Sequence, residues 1–144
     1  PTLPALGRLL GLDVGDTTIG LALSDDRRMI ASPLMTIERR KLKHDIEQLK
    51  TTITKYAVVG LIIGNPMNMD GSEGPRTQST RTFILNIKRE ILLPVALWDE
   101  RLTTMAVERM MIESDMTRQR RAQLVDKLAA AYMLQGALNR MKQL

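Results

Sequence analysis

Hydrophobic positions along this chain follow two rhythms. Arg8–Val14, RLLGLDV, is almost wholly apolar and reads as a buried strand that stops at Gly15. From Thr18 to Ser24 the period is two: Ile19, Leu21 and Leu23 share one face, while Thr18, Gly20, Ala22 and Ser24 share the other. The stretch Asp13–Gly20 joins these two strands as a hairpin. Ile30–Ile37 is a third extended segment, which Pro33 confines to a sheet edge or a bulge, because proline cannot donate to a strand ladder.

The rhythm then becomes helical. Leu42, Ile46, Leu49 and Ile53 predict an amphipathic helix over 40–56, with His44 off the apolar stripe and facing solvent. Val58–Ile63 is an unbroken apolar run, as in a central parallel strand covered on both faces. A loop rich in Gly, Pro and Asn follows, from Gly64 to Pro75. Thr80, Ile84, Ile87 and Ile91 mark another helix, which must stop before Pro94. Val95–Trp98 is a further strand, running into Asp99-Glu100-Arg101. Thr103 or Thr104 can cap a helix carrying Val107, Met110 and Met111. A last helix, rich in Ala and Leu, runs from about Arg118 to Met141. Strands first, then β–α–β alternation, then helices describe an α/β fold with helices covering the sheet. There is no linker, repeat or low-complexity tract.

At 144 residues the chain is the size of one domain, large enough for a core without metal or disulfide staples. It has no cysteine, which excludes disulfides, Cys-ligated zinc, iron–sulfur clusters and a thiol nucleophile. One histidine excludes a His-cluster metal site. Catalysis must therefore run on carboxylates, hydroxyls, lysines or a metal held by oxygen. No apolar run approaches the ~20 residues needed to cross a bilayer. The segment Pro1–Leu10 is too short for a signal peptide, so the expected setting is cytoplasmic, with no membrane partner.

The net charge is +5. All of it is local: Arg27, Arg28, Arg39, Arg40, Lys41 and Lys43 face only Glu38 within that stretch. Such a surface suits a polyanion, nucleic acid included, or is simply a solvated basic face.

Three acids stand where acids cost most. Asp13 ends an apolar strand, Glu100 follows PVALWD, and Asp126 sits in LVDKLAAAYML. Two strand ends and a facing helix would make an all-oxygen pocket, suited to Mg²⁺ or Mn²⁺ and unsuited to zinc. A pair of such ions can activate water and stabilise the leaving oxygen of a phosphodiester. Each acid also has a structural reading: Asp13 as a turn former before Gly15, Glu100 as a partner of Arg101, Asp126 as a first-turn helix acid. The loop before Pro75 is either a phosphate cradle at a helix start, with Arg76 and Arg81 just inside, or a plain turn. Arg118, Arg120, Arg121 and Lys127 could neutralise a phosphate backbone beside the acids. With two Tyr, one Phe and one Trp there is little surface for base stacking, so shape and backbone charge are the better basis for recognition.

LGLDVGDTTIGLALSDD, IGNPMNMDGSEGPR, LWDERLTTMAVERMM and VDKLAAAYMLQGAL resemble, in order, the signature stretches of the YqgF family. These are RNase-H-like, Holliday-junction-resolvase-like bacterial proteins associated with trimming precursor 16S ribosomal RNA. The resemblance implies a ribonuclease-H-like fold, a five-stranded mixed sheet flanked by helices. It implies that the acidic triad falls on Asp13, Glu100 and Asp126, holding Mg²⁺ or Mn²⁺. It also implies nucleic-acid contacts in the loop at Asn68, Asp70 and Gly71, and around Arg118–Arg121; Arg76, Arg101 and Lys127 are counted with them. The chain departs from the family at Asp16, Thr17 and Thr18, where a small hydroxyl residue and then basic ones are usual, and at Asn65, where Leu is more common.

The expected function is a metal-dependent endonuclease acting on structured nucleic acid, foremost precursor 16S rRNA. The alternatives are a branched-DNA resolvase and a weakly catalytic RNA-binding assembly factor. A phosphate-binding ATPase module is a distant third, since such enzymes need two of these domains. A homodimer is allowed if the Ala-rich last helix keeps an uncovered face.

Overall fold

The computed structural model describes residues 6–15, 17–65, 75–99 and 118–142. Five strands and three helices alternate along them. In chain order these are β1 (Arg8–Val14), β2 (Thr18–Ser24), β3 (Ala31–Glu38), α1 (Leu42–Tyr56), β4 (Val58–Asn65), α2 (Pro75–Glu90), β5 (Val95–Asp99) and α3 (Arg118–Lys142). They make one sheet in the order β3-β2-β1-β4-β5.

The first three strands form an antiparallel meander, with Leu12 opposite Leu21 and Ile19 opposite Ile37. On its other side β1 pairs in parallel with β4, and β4 in parallel with β5. β1 is therefore the middle of a mixed sheet. Six of its seven residues are buried, which explains why its sequence shows no alternation. Pro33 sits on the edge strand β3, opposite Ala22, beside a register shift. The edge and the irregularity expected from that proline are both present.

Alternation along β1 divides the core in two. Leu10, Leu12 and Val14 join Ile46 and Leu49 of α1 and Phe83, Ile84 and Ile87 of α2 on one face. Leu9 joins Ala130, Met133, Leu134 and Leu138 of α3 on the other. Fully burying one Leu or Ile contributes about 1.5–3 kcal/mol, so eleven large side chains less than 2% exposed give both layers a dry interior. Ala129, Ala130, Ala131 and Ala137 are all buried, and small residues let α3 lie close to the sheet. At Gly136 an added Cβ would come 3.2 Å from the Trp98 ring of β5, so glycine permits that contact. Among the described residues, no helix is long and apolar enough to cross a membrane.

Two sequence expectations shift. The helix expected over 40–56 starts at Leu42, because the N–H of Arg40 donates to the side chain of Asp45. His44 is not a free surface residue. Its ring is half-buried, with Nδ1 3.2 Å from Asp45 Oδ1. The helix expected around Val107–Met111 lies outside the described residues.

Candidate active site and nucleic-acid edge

β1, β4 and β5 are parallel, so their carboxyl ends share one edge of the sheet. In α/β sheets that is where ligands collect. Asp13 stands on this edge, opposite Gly20 of β2, and is only 7% exposed. Residues 9, 11 and 13 face α3 by the two-residue period. Gly11 confirms the direction: a Cβ there would meet Leu134, Met133 and the carbonyl of Ala130.

The course of α3 follows from its contacts. Gln135 accepts from the N–H of Ala31 at 2.9 Å and donates to the carbonyl of Met29 at 3.1 Å. Ala31 pairs with Ser24 and Leu23 pairs with Leu10, so Gln135 lies toward the amino end of β1. Ala130 lies over Gly11. α3 thus runs against the direction of β1, and the backbone of Asp126, one turn before Ala130, lies toward the carboxyl-end edge. Arg118, Arg120, Arg121 and Lys127 belong to the same opening stretch of α3. Arg76 is in the first turn of α2, the helix that carries the chain from the carboxyl end of β4 back to the amino end of β5.

Glu100 directly follows the last residue of β5 and lies outside the described residues, as do Asp16, Asn68, Asp70, Gly71 and Arg101. Among the described residues, no three Asp, Glu, His or Cys side chains gather as a metal-binding group. The described part of the expected triad is the buried carboxylate of Asp13. A hard-oxygen donor on the sheet edge is chemically suited to Mg²⁺ or Mn²⁺.

The turn after Asp13 is clamped from below. The N–H of Gly15 donates to Thr18 O at 2.8 Å. Arg39, just past β3, donates its backbone N–H to Thr17 O at 2.8 Å and its Nη1 to Gly15 O at 2.7 Å. The same guanidinium lies 5.0 Å above the Phe83 ring and has Nε 3.8 Å from Asp45 Oδ2. Asp45 is 1% exposed, and its Oδ1 accepts from the N–H of Arg40 at 3.0 Å. Arg39 and Asp45 were not recognisable as a unit in the sequence. In the sequence Arg39 is one more member of a basic run, and nothing singles out Asp45. The available signal was an acid in the first turn of a helix whose N-cap, Lys41, supplies no side-chain cap.

A family model described as RuvX, Holliday junction resolvase, matches residues 7–140. The chain belongs to the RuvX family. This is the family that the four sequence stretches resemble under the name YqgF. Among RuvX relatives, a protein of Rhodobacter capsulatus is 52% identical over 142 residues, covering 99% of this chain and 89% of that one. One from Zymomonas mobilis is 54% identical over 137 residues, covering 95% and 83%. Both carry the name "Putative pre-16S rRNA nuclease". Among solved structures, Thermus thermophilus RuvC in complex with a Holliday junction substrate superposes with a TM-score of 0.60 at 15% identity, covering 95% of this chain and 96% of that one. The RuvX chain therefore has the RNase-H-like fold, as the resemblance implied.

Proposed function

We propose that this RuvX chain is a nuclease that hydrolyses phosphodiester bonds in structured nucleic acid, with precursor 16S rRNA as its substrate. The observation that carries the reading is the buried carboxylate of Asp13 on the carboxyl-end edge of the sheet, on the face that α3 covers. The names of relatives about half identical to this chain support the choice of substrate.

Asp13, Glu100 and Asp126 would hold Mg²⁺ or Mn²⁺, and when bound such an ion polarises a phosphoryl oxygen and lowers the pKa of water. The chain's own part is to keep the Asp13 carboxylate in place. β1 and β2 fix its backbone, and Arg39 fixes the turn that follows. Arg76, Arg101, Arg118, Arg120, Arg121 and Lys127 would hold the phosphate backbone, with Asn68, Asp70 and Gly71 contributing from the loop before α2.

The test is cleavage of a labelled precursor-rRNA fragment and a four-way DNA junction, side by side, with Mg²⁺, Mn²⁺ or chelator. The native chain should cut the RNA only with metal. Asp13→Asn should lose more than about 100-fold in rate, beyond what removal of an outer-shell partner causes, and should keep its fold by circular dichroism. Turnover retained by Asp13→Asn would remove Asp13 from the site. Cutting of the junction in preference to the RNA would assign a resolvase, the reading that the family description favours. Binding without product at any metal concentration would leave an assembly factor.

A further inference from the structure

The basic excess that the sequence concentrates between Arg27 and Lys43 is sorted by the fold into four parts. Arg28 is buried at 8% exposure and donates Nε to Gly7 O at 2.9 Å. Arg27 is in the β2–β3 turn, at the edge away from Asp13. Arg39 points inward onto Gly15, Asp45 and Phe83. Arg40, Lys41 and Lys43 remain. All three are exposed, and none has an acid partner among the described residues.

Their position is informative. They follow Glu38, which pairs with Thr18 at the end of the meander. Thr18 opens β2 on the edge where Asp13 and Val14 end β1. We propose that the β3–α1 turn, through Arg40, Lys41 and Lys43, is a second phosphate-backbone contact. It would grip nucleic acid at the β3 end of the edge on which Asp13 stands. This rests on the reading of Asp13 as the active-site edge.

Three observations support it. First, the distance fits: β3 is two strands from β1, about 10 Å at 4.7–4.9 Å per strand, or roughly three base-pair rises at 3.4 Å. One duplex lying along the edge reaches both places. Second, the turn is already rigid. Its backbone is held at Thr17 O by the Arg39 N–H and at Asp45 Oδ1 by the Arg40 N–H, so little ordering is needed on binding. Third, Asp45, the acid in the first turn of α1, is buried and paired with Arg39, so it does not offset the three exposed cations. Glu38 is the one exposed acid in the segment and leaves the local balance positive. A free nucleotide would satisfy one of these cations; a row of three on the edge of the site fits a polymer.

The test uses the full chain with Arg40, Lys41 and Lys43 all changed to Ala. Binding to a labelled precursor-rRNA duplex is followed by fluorescence anisotropy in chelator, across a series of KCl concentrations. Relative to native, Kd should weaken about 10–100-fold at low salt. The slope of log Kd against log salt should fall by about two to three, near one per lost phosphate contact. The rate at saturating substrate with Mg²⁺ should stay within about twofold. These side chains are exposed, so the variant should melt as the native chain does. An unchanged Kd and slope, with native cleavage intact, would overturn the second contact and leave the nuclease reading standing. A reduced slope in the triple variant, together with full cleavage by Asp13→Asn, would keep the docking surface and overturn the site assigned to Asp13. No salt-dependent binding by the native chain would overturn both.

Discussion

Arg39 shows how a charged side chain can serve the site without meeting a substrate. It joins the turn after Asp13 to Asp45 of α1 and to Phe83 of α2. Removing it leaves the Asp45 carboxylate buried without its cation. Breaking a fully buried pair costs about 3–5 kcal/mol; Arg39 is 21% exposed and 3.8 Å away, so Arg39→Ala should cost less, about 1–3 kcal/mol in urea unfolding. Arg39→Lys should recover only part of that, because an ammonium lacks the planar fork that meets a carbonyl and a ring together. Asp25 offers a second test. Its Oδ1 accepts from the N–H groups of Met29 at 2.7 Å and Ile30 at 3.0 Å. The Ile30 bond is the main reason its carboxyl titrates below the ordinary 3.8. The stability it contributes to the β2–β3 turn is thus complete above about pH 4 and disappears as pH falls through the lower, folded-state value. A carboxyl carbon NMR titration should give a midpoint under 3.8, and Asp25→Asn should abolish that pH dependence while keeping the acceptor. At this scale Asp13 was legible, because an acid closing an apolar strand announces its cost. Asp45 was not: it sits beside Ile46 in a helical rhythm, and only the fold shows that Arg39 reaches it.

Elements were legible wherever a single period governed them. β2 keeps the predicted bounds, Thr18–Ser24, because its alternation is complete. β4 and β5 extend slightly past their apolar runs, to Asn65 and Asp99, because parallel pairing continues to the edge of the sheet. The start of α1 was misjudged by two residues for a reason outside any periodicity, the hydrogen bond between Arg40 and Asp45. The packing of α3 on β1 was also invisible in sequence, and it suggests the next variant. A methyl at Gly11 would lie 3.0 Å from Leu134 Cβ, 3.3 Å from Met133 Cε and 3.4 Å from Ala130 O. Met133 can bend away, but Leu134 Cβ and the Ala130 carbonyl move only with the helix. Gly11→Ala should therefore cost about 1–3 kcal/mol of overpacking, measured by thermal unfolding. With Asp126 of α3 as a metal holder, as proposed, it should also lower cleavage more than binding. Unchanged stability would mean that α3 shifts freely on the sheet.

For the whole molecule, the α/β class followed from the succession of rhythms and the five-stranded mixed sheet from resemblance, whereas the order β3-β2-β1-β4-β5 is visible only in the structure. A buried strand reads the same beside either neighbour, so periodicity cannot say that β1 has β2 on one side and β4 on the other. The same limit applies to the site. Costly acids can be picked out singly, but only the sheet order shows which strand ends share an edge with Asp13. That order has a consequence for synthesis. β1, β2 and β3 pair through short local turns soon after they are made, but the other edge of β1 waits for β4, which begins only at Val58. At about 5–20 residues per second, a strand with six of its seven residues buried in the finished fold spends several seconds on the ribosome with one edge unpaired. Until β4 arrives, that edge is a place where a chaperone, or a neighbouring nascent chain, would find the protein most adhesive.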